Sequence, residues 1–195
     1  MLKKVINKIK THNMLCGIGE SEIYENEIRI SKYPFKPSNV YPNTRIKANQ
    51  IDAICWDSYP PAIKIGDEYI FISREHSENL RKFSEINKVK TFKAIWTWQW
   101  LLEPYLDTEY AKETDKRLND LLNKNGISNE EIKSIRNEVK DQMMKYNFDT
   151  MLWEWGGLGL EDVLAAMRAK YDKVKFEDFF KRAMEIQFRN IEYDT

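Results

Sequence analysis

Apolar positions follow two regimes along the chain, and the change comes near residue 90. Before it they alternate with polar ones over short runs: IRISKYPF (28–35), TRIKANQIDAICW (44–56) and PAIKIGDEYIFIS (61–73). A period of two puts successive side chains on opposite faces of a strand, so each run predicts β-structure. In the last run Gly66-Asp67 separates Ile63 and Ile65 from Tyr69 and Phe71, which is a hairpin turn pair. Residues 14–25, MLCGIGESEIYE, supply one or two more strands. Pro34, Pro37, Pro42, Pro60 and Pro61 mark loops or edges, because proline cannot donate in a central ladder; KPSNVYPN reads as an exposed loop. A helix over 75–88 closes the region, capped by Ser73, with Leu80, Phe83 and Ile86 on its apolar face.

After residue 90 the period is helical. Ala94, Ile95, Trp98, Leu101, Leu102 and Tyr105 share one face, and Pro104 ends or kinks that helix. A second helix, 108–124, is capped by Asp107, turns Leu118, Leu121 and Leu122 inward, and stops at Gly126. A third opens on a capping box, Ser128 with Glu131, and lines Ile132, Ile135, Val139, Met143 and Tyr146 along one side. Leu160, Val163, Leu164, Met167 and Tyr171 mark a fourth; Phe176, Phe179, Phe180, Ala183 and Met184 mark a fifth. Short connections between amphipathic helices predict a bundle. The fold class is therefore α+β: a small antiparallel β domain closed by its own helix over 1–88, then a helical domain over 89–195, with KVKT near 88–91 as a short linker.

The order of TRIKANQIDAICW, PAIKIGDEYIFIS and the helix ENLRKFSEIN resembles a pleckstrin-homology-like (PH-like) domain. The resemblance implies a bent antiparallel sheet plugged at one end by a helix. Lipid-binding members carry basic residues in the first hairpin, whereas the corresponding stretch here, ESEIYENEIR, is acidic. It implies the fold and not phosphoinositide binding.

Composition narrows the function classes. The chain has 195 residues, 42% hydrophobic and 32% charged, with Lys+Arg and Asp+Glu both at 31. That is a globular composition with no net charge, so nothing global draws it to nucleic acid. Cys16 and Cys55 stand outside any C-x-x-C pair, which argues for free thiols in a reducing compartment and against zinc. No apolar run reaches membrane-span length, and a cytoplasmic protein without cofactor or metal is expected. Residues 1–10 hold Lys3, Lys4, Lys8 and Lys10 among Leu2, Val5, Ile6 and Ile9, a basic amphipathic helix able to lie on an anionic membrane surface.

Two aromatic stretches carry the candidate site. In IWTWQWLLEPYL, helical geometry turns Trp98 to the core and Trp96 and Trp100 to the other side, where they can line a groove with Glu103 as polar anchor. In WEWGGLG, Trp153 and Trp155 precede glycines read as a turn at positive φ; the Walker Lys-Ser/Thr is missing, and Asp162 would repel phosphate. Glu103, Asp107 and Glu109 cluster around a helix break and could serve acid–base chemistry, although helix capping explains Asp107 and Glu109. His12 and His76 are read as surface residues. Lys133, Arg136 and Lys140, interleaved with Glu130, Glu131 and Glu138, are read as a solvated face. The leading functional expectation is a non-catalytic interaction or scaffold module with a protein partner. The alternatives are a carboxylate enzyme at Glu103 and Asp107, and a membrane-surface protein held by residues 1–10.

Overall fold

A computed structural model describes residues 14–106, 111–150 and 157–194. The chain divides into two compact units, each discontinuous in sequence: Gly17–Ile95 with Ile191–Thr195, and Met1–Cys16 with Trp96–Asn190.

The first unit holds six strands: β1 (Glu20–Ile23), β2 (Glu27–Ser31), β3 (Thr44–Lys47), β4 (Ala53–Cys55), β5 (Ala62–Ile65) and β6 (Glu68–Phe71). They pair as two antiparallel three-stranded meanders, β1-β2-β3 and β4-β5-β6. A 3-10 turn at Ala48–Gln50 splits the run TRIKANQIDAICW into β3 and β4. Along β2, Ile28 and Ile30 are buried and Arg29 is not, the period of two that the sequence shows. The expected hairpin forms, with Ile65 opposite Glu68 and Gly66 at φ +56. Tyr33, Phe35, Phe71, Tyr69 and Phe92 make a chain of edge-to-face rings spaced 5.6–6.1 Å, which is the core of this unit.

Three expectations are corrected here. The loop KPSNVYPN is not exposed throughout: Val40 is buried, and Glu68 on β6 accepts hydrogen bonds from the Ser38 hydroxyl (2.6 Å) and the Asn39 amide (3.0 Å). Val40 is the apolar side chain of the loop that turns inward, while Tyr41 and Pro42 stay exposed. Ser73 does not cap the helix with its side chain; its amide donates to the Ser21 hydroxyl (2.8 Å), which donates back to the Ser73 hydroxyl (2.9 Å). A 3-10 turn therefore precedes α1 (Ser77–Asn87). The stretch KVKT also enters the sheet. Ile54 donates to the Lys90 carbonyl (2.9 Å) and Phe92 to the Ile54 carbonyl (3.0 Å), so residues 90–92 lie parallel along β4. Residues 192–194 then pair antiparallel with 91–93, through Lys93 to Glu192 and Asp194 to Thr91, both 3.0 Å.

The second unit holds α2 (Thr97–Leu102), α3 (Lys112–Lys124), α4 (Asn129–Thr150), α5 (Leu160–Lys170) and α6 (Lys173–Gln187). The inward faces of α4, α5 and α6 are those expected from the period, with Ile132, Val139, Met143, Val163, Met167 and Phe179 all buried. Helix α2 packs on α3, α4 and α6, and α5 on α4 and α6. It is shorter than its apolar pattern: Ala94 and Ile95 precede it, and Pro104 shifts Glu103–Tyr105 into a 3-10 turn. Helix α3 begins at Lys112 rather than 108, and Asp107 lies outside the described residues. It stops as expected at Gly126 (φ +77), in a Schellman turn: Gly126 donates to Asn123 (2.9 Å) and Ile127 to Leu122 (3.1 Å), with Leu122 and Ile127 both buried. At the start of α4 the Ser128 hydroxyl accepts from the Glu131 amide (3.2 Å), while the Glu131 carboxylate engages Arg189 (2.7 Å).

Candidate functional site

Trp98 settles its own role. It is fully buried, its indole N–H donates to the Ala183 carbonyl (3.1 Å), and its ring meets Phe179 at 6.3 Å. Thr97, Leu101 and Leu102 share this buried face. Trp96, Gln99, Trp100 and Glu103, at spacings of three, four and seven, lie on the other. Trp96 is 51% exposed, and Trp100 and Glu103 are half-buried. Gly159, the last residue of WEWGGLG, lies beside this helix. A Cβ built on Gly159 would meet Gln99 Nε2 at 3.4 Å and Glu161 Oε2 at 2.6 Å. Trp153, Trp155, Asp107 and Glu109 lie outside the described residues, as do His12 and residues 1–10.

The start of α5 is not a phosphate cradle. Gly159 is extended at φ −124 and Gly157 is not at positive φ, so neither takes the left-handed backbone expected of it; Gly156 lies outside the described residues. A Cβ at 159 would crowd only the far end of the Glu161 side chain, which can swing aside, so neither space nor a left-handed backbone demands glycine there. The Asp162 carboxylate accepts from the Gly159 amide (2.8 Å) and the Tyr146 hydroxyl (2.9 Å), so the anion position is filled by the chain itself. Burial raises the Tyr146 phenol, and Asp162 adds to the rise. Burial also raises the half-buried Cys16 thiol, with Arg168 opposing it. A thiol held in its neutral form is not an activated nucleophile.

The helical hairpin α3–α4 is built differently. Arg136, read from sequence as part of a solvated face, is half-buried. Its guanidinium donates to Asp115 (2.9 Å), to Asn119 Oδ1 (3.1 Å), and to the Trp100 and Leu101 carbonyls at the end of α2 (both 3.2 Å). A cation on the final carbonyls of a helix satisfies acceptors that the helix leaves open and complements its dipole. Glu138 is likewise no solvated acid, since Arg182 grips it with two bonds (2.8 and 3.0 Å) and Tyr171 adds a third (2.9 Å). Above Arg136 the two helices leave an open groove of about 540 Å3. Asn119, Asn123, Asn129 and Asn137 line it, with Lys112, Lys116 and Lys133 around them; Asp115, paired to Arg136, and Asp120 are its acids. Asn123 donates across it to Asn129 (3.0 Å). Sequence reasoning missed this groove. Its signal is compositional: asparagine is a poor helix former, so Asn119 and Asn137 in helix interiors need a reason.

The chemistry-bearing residues of the β unit are tied into its structure. His76 Nε2 meets the Ser21 carbonyl at 2.8 Å, not a hydroxyl nucleophile. Cys55 is buried and its thiol is pushed up to about 12, chiefly by desolvation. Arg74 stacks on the exposed Tyr59 ring at 4.0 Å and donates to its hydroxyl (2.9 Å). Among the described residues no cluster of three or more His, Cys, Asp or Glu side chains could hold a metal ion, and no helix is long and apolar enough to cross a membrane. Comparison of the chain with protein-family models, with curated proteins and with solved structures returns no match.

Proposed function

We propose that this protein is an interaction module that receives an extended, acidic segment of a partner protein in the groove between α3 and α4. The observation that carries the reading is the row of asparagines along the groove. A carboxamide offers a donor and an acceptor side by side, the same pair that a peptide unit offers. Asn119 and Asn123 stand one helical turn apart, about 6 Å along the axis. An extended chain repeats every two residues, at about 6.6 Å, so successive exposed peptide units meet successive asparagines. The lysines around the groove supply charge complementarity toward Asp or Glu side chains of the segment. Arg136, fixed from beneath by Asp115 and the α2 carbonyls, holds the Asn119 amide in place before binding. The Trp96 and Trp100 face of α2 stays an aromatic surface of the same unit, and the PH-like architecture of the β unit stays a proposal resting on element order.

An array of extended peptides of varied charge tests this. The full chain is expected to enrich acidic peptides, and Lys133→Glu to weaken them by about tenfold while leaving thermal stability unchanged. Equal retention of acidic and basic peptides, or acidic binding untouched by Lys133→Glu, would refute the groove as the receptive surface.

A further inference from the structure

The β unit carries a separate open hollow of about 810 Å3. It is bounded by the turn between β3 and β4, by Lys64 on β5, by Asn87, Lys88 and Lys90 where α1 runs into the edge segment, and by Tyr193. Lys64, Lys88 and Lys90 line it with one carboxylate, Asp52, and Lys64 also donates to the Gly66 carbonyl. That carboxylate is already engaged by the Gly66 amide (2.7 Å) and lies 3.7 Å from Lys64. No carboxylate among the described residues pairs with Lys88 or Lys90.

Lys88 is the informative residue. Helix α1 ends in the same Schellman turn as α3: Lys88 donates to Glu85 (3.4 Å) and Val89 to Ser84 (3.0 Å). In α3 the left-handed position of that turn is held by Gly126, the residue that adopts it without steric cost. In α1 it is held by Lys88 at φ +54. The only other left-handed lysine among the described residues, Lys32, is tied to Glu20 at 2.5 Å. Lys88 thus holds a strained backbone and delivers an unneutralised charge to the rim of a cavity. Backbone strain of this kind is kept where the side chain has work to do.

We infer that the hollow binds a small phosphate ester, with Lys88 and Lys90 as its principal cation donors. Ammonium groups two residues apart on one segment, with that of Lys64 on β5, suit a tetrahedral dianion. A carboxylate would favour the planar fork of an arginine, and the hollow has none. The volume far exceeds one phosphate group, and the half-exposed Tyr193 ring at the rim gives the organic part of the ester a surface to rest on. This site is independent of the α3–α4 groove.

Amide chemical shifts of the full chain during titration with glucose 6-phosphate are the test. Saturable shifts confined to residues around the hollow are expected, and glucose or sodium chloride at matched ionic strength should not reproduce them. Lys88→Gly should weaken binding by about tenfold while its Tm stays level or rises by about 2–4 °C, because glycine relieves the left-handed strain. Lys90→Gln should weaken binding without changing Tm. Co-sedimentation with phosphatidylcholine vesicles carrying phosphatidic acid separates the sources: Lys88-dependent pelleting that glucose 6-phosphate does not displace identifies a lipid headgroup, and its absence alongside soluble binding identifies a free ester. Shifts that chloride reproduces, full binding in Lys88→Gly, or no binding by either source overturns the assignment.

Discussion

Arg136 shows what one side chain can conceal in a sequence. Its neighbours Lys133 and Lys140 are exposed and solvated as their period implies, and the same helical phase was assigned to Arg136. The phase is right and the environment is not, because α2 ends beside it and presents the Trp100 and Leu101 carbonyls. Those acceptors lie 35 and 36 residues away in sequence, beyond the reach of any local pattern. Arg136→Ala would remove the Arg136 donor from Asp115, Asn119 and two helix-end carbonyls, while Asp115 keeps its bond from the Asn119 amide (3.3 Å). It should lower unfolding stability by about 2 kcal/mol, measured by urea denaturation. Arg136→Lys should recover part of this, since it keeps charge but loses the fork. A loss below about 0.5 kcal/mol in Arg136→Ala would show that the network is solvated after all.

At the scale of elements, faces were legible and ends were not. The inward faces of α4, α5 and α6 follow from period alone, because burial of an apolar stripe is a property of the helix itself. Ends depend on single residues. Gly126 announces its stop, whereas Lys88 makes the same turn with nothing in its type to show it. Proline at 104 shows where α2 fails, but the loss of Ala94 and Ile95 from that helix has no local mark. The tie between α4 and α6 shows how elements respond to pH. Arg182 holds the Glu138 carboxyl below its usual range, with Tyr171 assisting and burial opposing. A carboxyl lowered in the fold stabilises it above the unfolded value of about 4.3, and that contribution fades as pH falls through the folded value. Tyr171 runs the other way. Burial, then Glu138, pushes its phenol up to about 12, so its contribution is whole below about 10 and is lost as pH climbs toward the folded value. Glu138→Gln should therefore flatten the acid limb of a stability–pH curve and Tyr171→Phe the alkaline limb. An acid limb of Glu138→Gln that overlays the parent would remove this network from the account.

For the whole molecule, the regime change near residue 90 announced the α+β class, and the antiparallel β region followed by helices is as read. The return of the chain was not legible. IEYDT is too short and too charged to register as a strand, yet Glu192 and Asp194 bond to Lys93 and Thr91 through backbone and side chain alike. The left-handed residues Gly17 and Asn190 sit where the chain passes from one unit to the other, and glycine and asparagine are the types that tolerate this backbone best. Removal of 191–195 should strip hydrogen-exchange protection from the Lys93 amide and leave that of Ile54, which is bonded to Lys90, in place. Equal loss at both amides would mean that the terminal segment holds the whole edge rather than its outer row.

The same return sets a schedule for synthesis. The edge at 91–93 leaves the ribosome long before its partner at 192–194, with the bulk of the helical unit, roughly a hundred residues, still to be made. At about 5–20 residues per second that interval is on the order of 5–20 s. Throughout it the nascent sheet carries a row of unsatisfied amides and carbonyls, a template for any passing strand. The exposed interval therefore opens when 91–93 are made and closes when 192–194 pair with them.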